Sequence, residues 1–332
     1  MQSKNVLVTG GAGFIGSTLV RELLKEKANV FVLDNFISGR EENLAEVKDQ
    51  ITLFKGDIRD ENLEQMFTRN NIDYVFNLAA MPYIPDCYDK PDAFFDINTM
   101  GALRLLRACK AANVERVIQY STSEVYGTAR QVPMDEYHVM HPQSSYAVSK
   151  AAADRLCYTL HHEQNLPVII LRQFNTYGPR ETHPYIIPEL ISQLSKGNKL
   201  KLGNVKARRD FTYVTDAAVA AIQLMKHQKA EGHVFNSGFG KDYSIQEIAE
   251  MLGRVMGHDS VDIAVEERRL RPLDVEQLCA SYFKLHKLTG WDPRVSFEEG
   301  LQKTVDWYHA NGSKWPWADD VIVQGVGALA KK

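Results

Sequence analysis

Asn5-Val-Leu-Val-Thr9, then Gly10-Gly-Ala-Gly13-Phe-Ile-Gly16, then Asn29-Val-Phe-Val-Leu33-Asp34 decide how this chain folds. The first and last are short apolar runs of the kind that form buried parallel strands. Between them lies a helical pattern through Leu19, Val20, Leu23 and Leu24. Strand, glycine loop, helix and strand in that order make a βαβ unit for a dinucleotide. Glycines let the backbone approach a pyrophosphate, and the helix N-terminus supplies amide donors and positive potential. Gly10, Gly13, Phe14, Ile15 and Gly16 are the cradle candidates. Asp34, about 20 residues on, with Asn35 beside it, closes the second strand. A carboxylate there accepts from ribose hydroxyls and repels a 2′-phosphate, which favours NAD over NADP. The bland alternative is a glycine-rich structural turn.

Outward from this unit the alternation continues. Ile51–Phe54 reads as a strand and leads into Gly56-Asp57-Ile58. Asp57 is expected either to accept from the adenine amino group or to cap a helix starting near Glu61. Tyr74–Leu78 is a fourth strand, and Ala79-Ala80 lets the backbone pass close to the cofactor. Pro82, Pro85 and Pro91 predict an irregular, substrate-facing loop over Met81–Asp89. Asn98–Ala111 reads as one amphipathic helix with Leu103, Leu105, Leu106 and Cys109 inward. Arg116–Tyr120 is a fifth strand, 146–163 a helix, and Pro167–Leu171 a sixth strand. Arg172–Arg180 reads as a polar loop, Ile186–Leu194 as a helix, Lys199–Leu202 as a strand, and Asp216 as the cap of a helix to Met225. Val234–Ser237 returns to the sheet, and Ser244-Ile-Gln-Glu247 has capping-box form. Tyr282–Leu288 and Phe297–His309 are further helices. The expectation is an α/β fold: a doubly wound parallel (Rossmann) sheet with a smaller, interleaved C-terminal substrate domain. The cofactor domain covers 1–175 and is rejoined by about 210–240. The substrate domain takes 176–209 and 241–317, and 318–332 reads as a flexible tail.

Composition sets outer bounds. The 332 residues suffice for two lobes, and the net charge of −3 gives no reason to expect nucleic acid or an anionic membrane as partner. No apolar run approaches the ~20 residues of a membrane span. Cys87, Cys109, Cys157 and Cys279 form no Cys-x-x-Cys pair, so reduced thiols in a cytoplasmic protein are expected, with no metal site.

The chemistry is concentrated between Tyr120 and Lys150. Ser121-Thr122-Ser123-Glu124-Val-Tyr126-Gly127 ends a buried strand with hydroxyls and a carboxylate, and Tyr146-Ala-Val-Ser-Lys150 puts a phenol and an ammonium on one helix face. An ammonium beside a phenol stabilises the phenolate, so Tyr146 is a candidate base.

These motifs together resemble the extended short-chain dehydrogenase/reductase superfamily, in its nucleotide-sugar epimerase/dehydratase branch. The likeness runs from about residue 3 to about 310. It rests on Thr9-Gly-Gly-Ala-Gly-Phe-Ile-Gly16, Asp57-Ile58, Leu78-Ala79-Ala80, Tyr146-x-x-x-Lys150, Arg172-x-Phe-Asn175-x-Tyr-Gly-Pro179, Arg209-Asp-Phe-x-Tyr-Val-x-Asp216 and Arg271-Pro-x-Asp274. The resemblance implies NAD as cofactor and Thr122, Tyr146 and Lys150 as a redox triad. Tyr146 takes the proton from the sugar C4 hydroxyl as hydride moves to NAD. Thr122 bonds the same oxygen. Lys150 holds the nicotinamide ribose and depresses the Tyr146 pKa. The positions of Asn175, Arg209 and Arg271 imply diphosphate-sugar binding, and two arginines suit a diphosphate. It also implies a homodimer through helices 98–111 and 146–163.

Glu124 points to the reaction. Once C4 is a ketone the C5 proton is acidic. A carboxylate can remove it, the C6 hydroxyl leaves as water, and hydride returns to C6. Thr-x-Glu resembles the sugar-nucleotide 4,6-dehydratases. Where the dTDP-glucose type carries aspartate this chain has Ser123, which leaves Glu124 itself, or Ser123 as a relay, to protonate the leaving hydroxyl. Thr-Ser-Glu is closer to the GDP-mannose and UDP-GlcNAc dehydratases, and the flanking Phe174–Arg180 to the UDP-GlcNAc type. Three alternatives stand: a UDP-sugar 4-epimerase, a UDP-glucuronate decarboxylase that needs a further cation such as Arg180 or His183, and a non-catalytic NAD-binding protein.

Overall fold

Every strand of the main sheet runs the same way. The computed structural model describes residues 1–271 and 273–311. The strands are β1 (Asn5–Thr9), β2 (Asn29–Asp34), β3 (Ile51–Lys55), β4 (Tyr74–Asn77), β5 (Arg116–Thr122), β6 (Val168–Gln173), β7 (Asn175–Tyr177), β8 (Lys199–Leu202), β9 (Arg208–Tyr213), β10 (Val234–Ser237), β11 (Asp242–Ser244) and β12 (Asp262–Val265). The helices are α1 (Phe14–Lys25), α2 (Leu63–Arg69), α3 (Ile84–Cys87), α4 (Pro91–Phe95), α5 (Ala102–Ala111), α6 (Ser145–Gln164), α7 (Ile186–Leu194), α8 (Val214–Met225), α9 (Ile245–Val255), α10 (Phe283–Thr289) and α11 (Phe297–Asn311).

Seven strands form one parallel sheet in the order β10-β6-β5-β4-β1-β2-β3. The chain winds from β1 to β3 in one direction and from β4 outward in the other. That leaves a crevice at the carboxyl ends where the two halves diverge, the place where such sheets take ligands. Helices cover both faces because strands apolar on both sides must bury both. On one face Leu19, Val20 and Leu23 of α1 pack with Ala218, Ala221, Ile222 and Met225 of α8. On the other, Leu63, Phe67, Leu105, Leu106, Cys109, Cys157 and Leu160 fill the space.

A second core is assembled from later segments. Ile187, Leu190 and Ile191 of α7, Ile248 and Leu252 of α9, and Phe297, Leu301 and Val305 of α11 pack on Tyr177, Phe211, Tyr213 and Tyr243. Those aromatics come from the three-stranded sheet β11-β9-β7, and β8 with β12 makes a separate parallel pair.

Several local expectations are corrected. Asn98–Ala111 is not one regular helix: a wider π-helical turn over Asp96–Gly101 precedes α5. Such turns often mark functional segments, and here Asn98 uses it to bond the backbone of Met81 at both N–H and C=O, and Ser149 Oγ of α6. The 81–89 loop contains the short helix α3, with Pro85 in its first turn. The polar loop 172–180 contains the end of β6 and the strand β7. Asp216 is not the cap of α8. Tyr213 is, while Asp216 Oδ2 accepts from Arg294 N and Val295 N at 2.9 Å each and ties α8 to the segment before α11. The expected tail 318–332 lies outside the described residues.

Candidate active site

A cavity of about 1060 Å³ runs along the carboxyl ends of the strands and out between the two cores. Its first part is the glycine loop. Gly10 has φ +67, and a Cβ there would meet Ala79 N and Leu78 C at 3.0 Å. A Cβ on Gly16 would sit 2.1 Å from Gly10 O. No side chain caps α1, and its first turn holds no acid, so its amide donors face the cavity lined by Gly10, Gly13, Phe14, Ile15 and Gly16. Asp34 is buried, and its two oxygens accept from Ala12 N and Phe36 N at 2.9 and 2.8 Å. Burial pushes its carboxyl up. Asn35, Ile58, Leu78, Ala79 and Ala80 line the same end.

Asp57 also lines the cavity. The Arg59 guanidinium binds both its oxygens at 2.8 Å, Asn35 Nδ2 donates at 2.7 Å, and Arg59 first of all holds the carboxyl down at about 2. Of the two readings for Asp57, the helix cap fails, because Asn62 precedes α2.

The second part is the floor. Thr122 ends β5 and accepts from Glu124 N at 3.2 Å, starting a tight turn that presents Ser123 and Glu124 to the cavity. Ser144 caps α6 by accepting from Ala147 N at 3.1 Å, which places Tyr146 and Lys150 one turn apart, both buried. Phe94 packs edge-on against Tyr146 with ring centres 6.2 Å apart. Burial pushes the phenol up, the Thr122 hydroxyl pulls it down, and the Glu124 charge pushes it up again. Lys150 Nζ donates to Tyr120 O at 2.6 Å, and burial lowers it to about 8. The expected depression of Tyr146 is not seen here, where burial outweighs the Thr122 bond. Among the described residues no ion pair or hydrogen bond holds the Glu124 carboxylate away from the cavity.

One support under this floor has no marked place in any motif of catalysis. Arg172 of β6 binds Asp154 of α6 through Nε at 2.9 Å and Nη2 at 3.0 Å, and Ser121 Oγ donates to Asp154 at 2.8 Å. The pair is buried, and it locks α6 to β5 and β6 below Tyr146.

The outer part holds the arginines. Arg209 is buried with Nη2 3.5 Å from Asp274, and both Glu124 and Asp274 reach it with their charge. Its neighbour Asp210 accepts from Phe239 N, Gly240 N and Ala280 N, which fixes β9 beneath it. Arg271 lines the mouth, and Asn175 lines the wall with Oδ1 buried and unpartnered. Arg180 is not brought to the cavity. Its guanidinium pairs with Glu46 at 2.9 Å and lies over the Trp307 ring at 5.7 Å. A positive φ of 71 at Arg180 turns the chain there, so the segment 181–187 lines the cavity, with Glu181, His183 and Tyr185 as its titratable groups. His183 stacks flat on Tyr83 at 5.2 Å, and Tyr185 meets both rings edge-on. Burial lowers His183 to about 4 and pushes Glu181 well up. Nothing periodic marks this aromatic trio. Its only signal is the proline-broken, substrate-facing loop expected over 81–89, which carries Tyr83.

The family model for GDP-mannose 4,6 dehydratase matches residues 7–304. A dTDP-glucose 4,6-dehydratase from Streptomyces venezuelae, DesIV, solved with NAD bound, superposes with a TM-score of 0.88 at 31% identity, covering 95% of this chain and 100% of that one. A UDP-N-acetylglucosamine 4-epimerase from Methanobrevibacter ruminantium superposes with a TM-score of 0.85 at 34% identity, covering 94% of this chain and 100% of that one. A UDP-N-acetyl-alpha-D-glucosaminuronate decarboxylase from Bacillus cytotoxicus is 34% identical over 92% of this chain and 98% of its own length. Among the described residues no helix is long and apolar enough to cross a membrane.

Proposed function

Since the chain belongs to the GDP-mannose 4,6-dehydratase family of NAD-dependent nucleotide-sugar enzymes within the extended short-chain dehydrogenases, we propose that it is a nucleotide-sugar 4,6-dehydratase. NAD, when bound, supplies a hydride acceptor that later returns the hydride, and a cationic ring that lowers a neighbouring phenol. The glycine loop, the open start of α1 and Asp34 fit its adenosine half and pyrophosphate, and Lys150 the second ribose. Tyr146 takes the C4 hydroxyl proton while Thr122 bonds the oxygen. Glu124 removes the C5 proton, the C6 hydroxyl departs as water with a proton from Glu124 or through Ser123, and a proton returns to C5 as hydride reaches C6. Asn175, Arg209 and Arg271 hold the diphosphate.

Glu124 is the observation that carries this reading: a carboxylate on the cavity wall, next to Tyr146 electrically, within reach of the Arg209 charge, and held by no ion pair or hydrogen bond among the described residues. A decarboxylase needs a cation for the sugar carboxylate. Arg180 faces Glu46 and burial lowers His183 to about 4, which supports the dehydratase reading over this one. An epimerase gives Glu124 no task. The test is Glu124→Gln with a panel of nucleotide hexoses, UDP-GlcNAc first. C4 oxidation should persist while solvent deuterium no longer enters C5, a loss of about 10²–10⁴-fold. Wild-type exchange in that variant assigns the base elsewhere.

The same family reading proposes a homodimer. Phe95, Met100, Val148 and Tyr158 are all more than a third exposed on α4, the π-helical turn and α6, an apolar surface suited to a second copy. The solution mass should be twice that of the chain, and a monomer at micromolar concentration removes the proposal.

A further inference from the structure

Gln173 ends β6, in register with Thr122 of β5 on one side and Ser237 of β10 on the other. Residues paired between neighbouring parallel strands project to the same face of the sheet. Gln173 therefore points with Thr122, and it lines the same cavity. Its amide has one possible orientation. Nε2 donates to Phe174 O and to Ser237 O, each at 3.2 Å, and a flipped amide would set oxygen against two carbonyl oxygens. The orientation leaves Oε1 as the free end, buried and without a partner, in a side chain only 7% exposed. A buried acceptor left unbonded calls for an explanation.

The donor that fits comes from the cofactor. Gly10, Gly16 and Asp34 set the adenosine half against β1 and β2, so the other nucleoside extends over β4–β6, where Lys150 and Gln173 stand. Lys150 donates to Tyr120 O, and its remaining N–H groups are those proposed for the nicotinamide ribose. The sugar's diphosphate brings only acceptors and is met by arginines from the other core. A nicotinamide brings a primary carboxamide with two N–H donors. We infer that Gln173 Oε1 accepts from the nicotinamide carboxamide and fixes which ring face is turned toward Tyr146 and the sugar. This holds whichever reaction the sugar undergoes.

The test is a competition between NAD and its 3-acetylpyridine analogue, in which methyl replaces the carboxamide nitrogen, on the full chain after exchange of bound cofactor. Wild type should prefer NAD by about three- to tenfold, the range of one neutral hydrogen bond. Gln173→Met keeps the length and removes the acceptor, and should bring the ratio near one. An unchanged ratio in Gln173→Met overturns the inference, even if both affinities fall together, since equal loss means packing. Wild-type protein that binds both dinucleotides equally overturns it without any variant.

Discussion

The floor of the cavity is held by strand register, its outer wall by side chains stacked between loops. On the floor, Thr122, Tyr146 and Lys150 sit where β5 stops and α6 starts, and Asp154 of α6, bound by Ser121 of β5 and Arg172 of β6, fastens these elements from below. On the wall, the 81–89 and 180–188 segments share no ladder of backbone bonds, and Tyr83 stacked on His183 joins them. A displaced floor must break parallel pairing and a buried ion pair, which costs about 3–5 kcal/mol when one partner is removed. A displaced wall gives up the two ring contacts of Tyr83, with His183 and Tyr185, worth about 0.5–1.5 kcal/mol each. The difference teaches where each property of the enzyme resides. On the proposed reading, redox chemistry belongs to the stiff part, and the choice of hexose to the part that loop sequence can rebuild cheaply.

The strongest way to break this contrast is Tyr146→Phe. It removes one oxygen from the floor and leaves Phe94 its packing partner. Turnover should fall by about 10²–10⁴-fold, the worth of a positioned general base, with the fold intact by circular dichroism. Mass spectrometry of the sugar nucleotide checks it, and a variant that still yields keto product takes Tyr146 out of the reaction.

A second test concerns Lys150, whose folded pKa of about 8 lies below the usual 10.5 because of burial. Between those values the unfolded chain holds the extra proton, so stability climbs as pH rises from about 8 toward 10.5. Below about 8 the group is charged in both states and the contribution is flat. Lys150→Met should remove about 2 kcal/mol of that climb between pH 8 and 10, read as the difference between wild-type and variant denaturant curves of cofactor-free protein. Parallel curves would mean that the ammonium is better solvated on the floor than its burial indicates.

The two regions also differ in what sequence discloses. Apolar runs of four to seven residues alternating with helical patterns fix the main sheet, and Gly10 to Gly16, Thr122, Tyr146 and Lys150 each lie at an element end that periodicity locates. The same periodicity misplaces the start of α5, because a π-helical turn at Asp96–Gly101 keeps an apolar face and changes only the hydrogen-bond spacing. Asp216 and Asp57 look like caps, since a carboxylate near a helix start reads alike whether it bonds that helix, a distant backbone as Asp216 does, or a neighbouring arginine as Asp57 does. The short strands β7, β11 and β12 escape notice because three or four residues are too few to show a period. On the wall nothing repeats, and a single backbone reversal at residue 180 decides which side chains face the cavity.

That reversal yields the smallest expected effect and the sharpest test of the wall. Arg180 ends the Phe-Asn-x-Tyr-Gly-Pro run and reads as a substrate-binding cation, yet its guanidinium lies against Glu46 and Trp307. A half-exposed ion pair of this kind is worth about 0–1 kcal/mol, and the cation–π contact about 0.5–1 kcal/mol. Arg180→Ala should therefore lower stability by about 1 kcal/mol and leave KM for the sugar nucleotide within about threefold. Arg209→Ala, which strips a buried charge from the cavity, should raise KM by about 10- to 100-fold, matching the loss of a charged hydrogen bond. The paired measurement distinguishes two geometries. If Arg180→Ala raises KM as much as Arg209→Ala does, the 180–185 segment reverses when substrate binds, and the wall is a moving part whose position here is its open one. If only Arg209→Ala acts, the wall is set before substrate arrives, and Tyr83, His183 and Tyr185 are the positions at which to alter the choice of hexose.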